Sequence, residues 1–166
     1  MIKNILITGD SRLLEVSTEV ANHEFNTKNL DNLITDMLDT MRHNNGVGIA
    51  AIQIGIPKRV LLIEYNDANP RYHNTGNCPL TVVINPKIEI VGMDTDECDE
   101  GCLSVPGIRD KVTRPKHLRY SFYDATGKLI NGESDGFFAR VLQHEVDHLD
   151  GILLPMRISS KYIQTL

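Results

Sequence analysis

Apolar residues recur at three- and four-residue spacing across residues 29–43, where Leu30, Leu33, Ile34, Met37, Leu38 and Met41 line up as one stripe. That period predicts an amphipathic helix whose stripe serves core packing. Asn44-Asn45-Gly46 supplies its stop. A second helical pattern spans residues 136–149, with Phe137, Phe138, Val141, Leu142, Val146 and Leu149 spread around much of the circumference. A helix apolar on so many sides is expected to be central and buried. Ser134 or Asp135 can cap its start and Gly151 can end it. Strand character marks residues 59–64, 118–123 and 128–130, the last two joined by the turn Asp124-Ala125-Thr126-Gly127. Residues 81–85 and 87–91 read as two strands broken by Pro86. Residues 66–79, polar and rich in Asn, Pro and Gly, predict an exposed loop. A buried central helix against short, mostly antiparallel strands predicts an α+β fold. The 166 residues, without internal repeats, fit a single domain, 1–166.

Composition narrows the function classes. Hydrophobic residues make up 41% and charged residues 23% of the chain, ordinary values for a globular protein. Its longest apolar stretches, such as residues 60–63 and 151–154, are far too short to span a bilayer, so no membrane partner is expected. Met1-Ile2-Lys3-Asn4-Ile5-Leu6 lacks the apolar stretch and cleavage site of a secretory signal. The expected location is therefore the cytoplasm. The net charge of −5 repels phosphate backbones and the 17 Lys and Arg residues are scattered, which argues against dedicated nucleic-acid binding. Cys78, Cys98 and Cys102 are too few for a disulfide scaffold and read as free thiols or metal ligands.

The candidate chemistry sits on the second helix, in His144-Glu145-Val146-Asp147-His148, an H-E-x-x-H sequence. A four-residue spacing returns both imidazoles to one helix face, where they can share a metal. Glu145 projects beside them, in reach of a proton on a water at that metal. Two plain histidines on a buried helix would be the alternative, but burying them with a carboxylate is costly without a partner. In many H-E-x-x-H peptidases a third ligand follows downstream. Here the residues after His148 contain no His, Glu or Cys, and Asp150 is too near to turn back. The third ligand is therefore expected upstream. Candidates are Cys78, Cys98, Cys102, His23, His43, His73 and His117, with upstream carboxylates beside them. Cys78 reads as a surface thiol in a loop. Cys98 and Cys102 lie ~13 Å apart in an extended segment, too far for one ion. Gly101 permits close approach beside Cys102, which favours it without deciding the matter.

Three segments resemble the signature motifs of peptide deformylases: Gly46-Val47-Gly48-Ile49-Ala50-Ala51-Ile52-Gln53, Glu100-Gly101-Cys102-Leu103-Ser104 and Gln143-His144-Glu145-Val146-Asp147-His148. They follow the family's order at compatible separations, and the similarity covers about residues 5–157. The resemblance implies removal of the formyl group from N-formylmethionine on nascent peptides. It implies Cys102 as the third ligand beside His144 and His148, and one divalent ion, commonly Fe2+ with Zn2+, Ni2+ or Co2+ tolerated. Glu145 then handles protons, while the Gln53 amide and the Leu103 N–H meet the developing oxyanion. On the residues alone, Gln53 reads as a turn residue that satisfies local backbone. The resemblance further implies that Gly48 lets its backbone approach the substrate. Val47, Phe137 and Val141 are expected to line the methionine pocket, Arg109 to contact the peptide backbone, and Glu100 with Arg114 to form a buried structural pair. Arg140 stands beside that pocket where some members are apolar, and the loop at 66–79 is longer than in compact members. N-formylmethionyl nascent peptides and a transient association with the ribosome are the expected partners. No long basic helix follows Met156-Arg157-Ile158, so helix-mediated docking is not expected. An H-E-x-x-H endopeptidase or amidase, and a non-catalytic metal- or peptide-binding relative, are the competing readings.

Overall fold

The computed structural model describes residues 1–158. Its elements run α1 (Lys28–His43), β1 (Gly48–Ala50), β2 (Val60–Tyr65), β3 (Cys78–Ile90), β4 (Thr95–Cys102), β5 (Val105–Pro115), β6 (Leu118–Tyr123), β7 (Leu129–Ser134) and α2 (Phe137–Leu149). Single 3₁₀ turns at Ser11–Leu14, Asn22–Glu24, Ala51–Ile54 and Leu154–Met156 complete the order. Five strands form one sheet in the order β1-β2-β3-β6-β7, and β4 pairs with β5 as a separate hairpin. All these pairings are antiparallel, so the chain mixes helix with antiparallel strands. Among the described residues no helix is long and apolar enough to cross a membrane.

The two faces of the large sheet explain the unbroken apolar run of β2. Leu61 and Ile63 point to the face covered by Val141, Leu142 and Leu149 of α2. Val60 and Leu62 point to the opposite face, covered by Met37 and Met41 of α1. A strand buried on both faces needs no polar alternation. A third, smaller cluster joins Cys102, Val105 and Val112 of the hairpin to Leu154 and Ile158. Helix α1 begins where the Thr27 hydroxyl accepts from the Leu30 N–H, and ten of the thirteen residues of α2 are buried.

Three local expectations need correction. Pro86 does not divide its segment; β3 runs through it with a register shift between Ile84 and Lys87. Asn85 takes a positive φ of 50° at that bulge, and its side chain bonds both the N–H and C=O of Val20 at 2.9 Å. The irregularity absorbs the donor that proline lacks. Neither Ser134 nor Asp135 caps α2; Gly136 holds the N-cap position with no side-chain cap. Cys78 opens β3 half-buried against the core instead of lying in a surface loop, and burial pushes its thiol pKa up. The stop at Gly151, with φ 73°, is as expected. The expected lack of a basic helix after Ile158 lies outside the described residues.

Candidate metal centre and active site

Helix α2 carries His144 and His148 one turn apart, with ring centroids separated by 5.2 Å. Cys102, the last residue of β4, brings its Sγ to 3.2 Å from His148 Nε2. One ligand atom from each of Cys102, His144 and His148 lies within 4.8 Å of the others. Of the upstream candidates, only Cys102 joins the two histidines. Cys98 is exposed beside Asp96, His117 faces Glu133 at 3.1 Å, and His23, His43 and His73 are on the surface.

A buried ion network fixes this trio from behind. His144 Nδ1 lies 2.9 Å from Glu100 Oε1, so that nitrogen donates to the carboxylate and Nε2 is left for a ligand role. Arg114 donates two bonds to Glu100, at 2.7 and 2.9 Å, and a third to Asp147 at 2.9 Å. Arg140 also donates to Glu100 and to the Val112 and Asp96 carbonyls. The expected Glu100–Arg114 pair is therefore present, enlarged by Arg140, Asp147 and His144. Burial alone would raise the Glu100 carboxyl, but bonds from His144 and Arg114 outweigh it and hold the pKa at about 2. Burial, with the charges of His144 and Arg114, pushes His148 well below its ordinary value, so its imidazole is neutral. A thiol and two imidazoles converging in a buried pocket, one ring oriented by a carboxylate, fit a divalent metal ion.

Glu145 lies beside the trio, 4% exposed, and one carboxylate oxygen has no hydrogen-bond partner. Burial first, then the neighbouring charges of Glu100 and Asp147, push its pKa up to about 7 against the opposing His144 and Arg114. The same cavity is lined by Val47, Gly48, Gln53, Leu103, Phe137 and Val141. Gln53 does two things at once. Its amide oxygen accepts from the Ala50 N–H at 2.9 Å, and its amide nitrogen donates to Ser104 Oγ at 3.0 Å, with Cys102 Sγ 4.0 Å away. The turn reading was thus half of its role. The N-terminal segment ties both loops together, since Leu6 N–H donates to the Gln53 carbonyl and Thr8 N–H to that of Ser104.

Arg109 is not part of this cavity; it stands on the adjoining groove with its guanidinium 4.5 Å over the Tyr72 ring. Sequence reasoning missed Arg71 and Tyr72, which line both cavity and groove from the loop after β2. A turn-rich segment carries no periodicity that could have singled them out. Ser104 was quoted within a motif, yet nothing in a lone serine signalled its bond to Gln53.

A family profile described as "Polypeptide deformylase" matches residues 2–163. Peptide deformylase 2 of Ralstonia nicotianae is 49% identical over 158 residues, spanning 95% of this chain and 88% of the relative. Peptide deformylase 1 of Bordetella pertussis is 46% identical with the same coverage. Among solved structures, the class I type b peptide deformylase of Acinetobacter baumannii with Met-Ala-Ser bound superposes with a TM-score of 0.92 at 36% identity, covering 95% of this chain and 99% of that one. The Synechococcus elongatus peptide deformylase in complex with actinonin gives 0.83 at 34% identity, covering 96% and 80%.

Proposed function

The chain belongs to the polypeptide deformylase family, and on that footing we propose that Cys102, His144 and His148 hold its metal while Glu145 moves the protons of deformylation. The protein is an enzyme that removes the N-formyl group from nascent peptides. The observation that carries the site reading is the convergence of the three ligand atoms within 4.8 Å, in a cavity that also holds the buried Glu145. The relative that binds Met-Ala-Ser supports a methionine-first peptide here as well. We take Fe2+ as the ion in the cell, with Zn2+, Ni2+ or Co2+ as substitutes, because one thiolate and two imidazoles accept several divalent ions. The same reading assigns one catalytic domain working on nascent chains in the cytoplasm, with the ribosome as a transient partner.

When bound, the ion supplies Lewis acidity that makes water a nucleophile near neutral pH. The remaining steps belong to the protein. Glu145, with a pKa of about 7, takes a proton from the water as its oxygen bonds to the formyl carbon. Charge developing on the formyl oxygen is met by the Gln53 amide nitrogen and the Leu103 N–H. The carbon–nitrogen bond then breaks, Glu145 returns its proton to the departing amine, and formate leaves. Val47, Phe137 and Val141 supply an apolar wall for the methionine side chain. Gly48, without a side chain, lets substrate backbone approach beside Glu145.

The test pairs formate release from formyl-Met peptides with metal analysis. Replacing Cys102, His144 or His148 by Ala is expected to strip the metal and abolish formate release, whereas Cys98→Ala and Cys78→Ala keep both. Metal loss in Cys98→Ala with retention in Cys102→Ala would overturn the ligand set.

A further inference from the structure

Seven of the nine arginines are ion-paired: Arg12, Arg42, Arg59, Arg114, Arg119, Arg140 and Arg157 each have a carboxylate within 4.0 Å. Among the described residues no ion pair includes Arg71 or Arg109, although the protein carries a net charge of −5 and acids are plentiful. These two are also the pair that the fold brings together. Their guanidinium carbons lie 5.9 and 4.5 Å from the centroid of one ring, that of Tyr72. They converge on the side-chain-free flank of Gly101, where a Cβ would stand 3.0 Å from Arg71 Nη2 and 3.5 Å from Arg109 Nη1. Two cations held side by side without a counter-charge repel each other, and an anion placed between them relieves that repulsion.

The placement is firm. The Tyr72 hydroxyl accepts from the Gly101 N–H at 3.2 Å and donates to its carbonyl at 3.4 Å, fastening the loop to β4. Tyr72 also packs against Phe137, with centroids 5.2 Å apart. Phe137 and Tyr72 line the catalytic cavity and the groove that holds both arginines, so the two spaces adjoin. A peptide whose methionine sits against Phe137 therefore passes the arginines with its next residues. Asp96 and Asp99 stand on the same groove; Asp96 is engaged by Arg140 and Cys98, and Asp99 is exposed.

We propose that Arg71 and Arg109 form an anion subsite that selects substrates with an acidic side chain in the residues just after formylmethionine. This rests on the deformylase reading and specifies its substrate class. Guanidinium forks match a carboxylate in two-pronged fashion, and Tyr72 pre-positions both.

The experiment measures formate release from C-terminally amidated formyl-Met tripeptides carrying Glu, Gln or Lys at the second or third position. At low ionic strength kcat/KM for the better Glu peptide is expected to exceed that of its Gln counterpart by about tenfold, the scale of one charge-assisted bond. The difference should lie in KM, shrink with salt, and reverse for Lys. In Arg71→Gln and in Arg109→Gln the Glu preference should vanish, so that the Glu and Gln peptides give equal kcat/KM. Equal kcat/KM for Glu and Gln peptides in the wild type, or a preference that survives Arg71→Gln, overturns the subsite alone. No formate from any peptide overturns the deformylase reading and the subsite with it.

Discussion

A side chain at position 48 and the carboxylate of Glu145 compete for one space. A Cβ built on Gly48 collides with the Glu145 carboxylate and stands 2.9 Å from its Cγ. The absence of a side chain at Gly48 therefore gives the Glu145 carboxylate, the proposed proton carrier, room to sit in the cavity. Gly48→Ala should leave the three proposed metal ligands untouched, because they come from β4 and α2, yet push the carboxylate off its position. A small misplacement of a catalytic group costs on the order of 10²-fold. Glu145→Gln, which keeps shape and removes the titrating oxygen, should lose at least ~10²-fold in turnover and retain the metal. Both variants are to be compared by formate release and metal content. If Glu145→Gln turns over at a near-wild-type kcat with full metal, Glu145 is not the proton carrier; the same result in Gly48→Ala means that the carboxylate does not need that space.

At the scale of elements, the question is what holds the β4–β5 hairpin against α2. Arg140 reads from sequence as a neighbour of the substrate pocket; it does line that cavity, and its buried side chain also donates to Glu100 and to the Val112 and Asp96 carbonyls. Arg140→Leu leaves Glu100 to Arg114 and His144 but removes one charge-assisted bond and the donors of two carbonyls, so it should cost ~1.5–3 kcal/mol in urea unfolding. Its ratio of rates on formyl-Met and formyl-Gly peptides should stay unchanged; an altered ratio at unaltered stability would refute this structural role. Both helices were legible because their stripes repeat at helical period, and β2 and β6 because their apolar runs are short and bounded. The hairpin was not. Positions 95–99 of β4 are all exposed, so no buried face imprints an apolar alternation on Asp96, Glu97, Cys98 and Asp99. The bulge at Asn85 was hidden for a different reason, since its partner Val20 is remote in sequence. The histidine pair of the proposed metal site was legible on α2 from spacing alone. The third member of that site came through resemblance, because proximity of β4 to α2 is a tertiary fact. Arg71 and Tyr72 stayed invisible on the same ground.

The whole molecule is built from a sheet clothed by α1 and α2, and a hairpin that belongs to neither face. Among the described residues β4 and β5 pair with each other, with an isolated bridge from Val112 to Ile158, and share only a small apolar cluster. Beyond that cluster, the hairpin is joined to α2 by polar contacts: the Glu100 network and the convergence of Cys102 with His144 and His148. A metal held by that trio ties β4 to α2, so its removal should loosen the hairpin before the sheet. Binding to the native state alone stabilises by about 4 kcal/mol when free metal exceeds its Kd a thousandfold. For a chain of this size that corresponds to roughly 8–16 °C in Tm. Chelated protein should therefore melt lower by about that amount, and its amides at 95–115 should exchange faster while those of β2 and β3 stay protected. Cys102→Ala, which lacks the third proposed ligand, should show the low Tm with or without added metal. Zinc restored to the wild-type protein should recover both Tm and protection. An identical Tm and exchange pattern in the metal-loaded and chelated wild type would mean that the hairpin is held by its ion network and small apolar cluster alone.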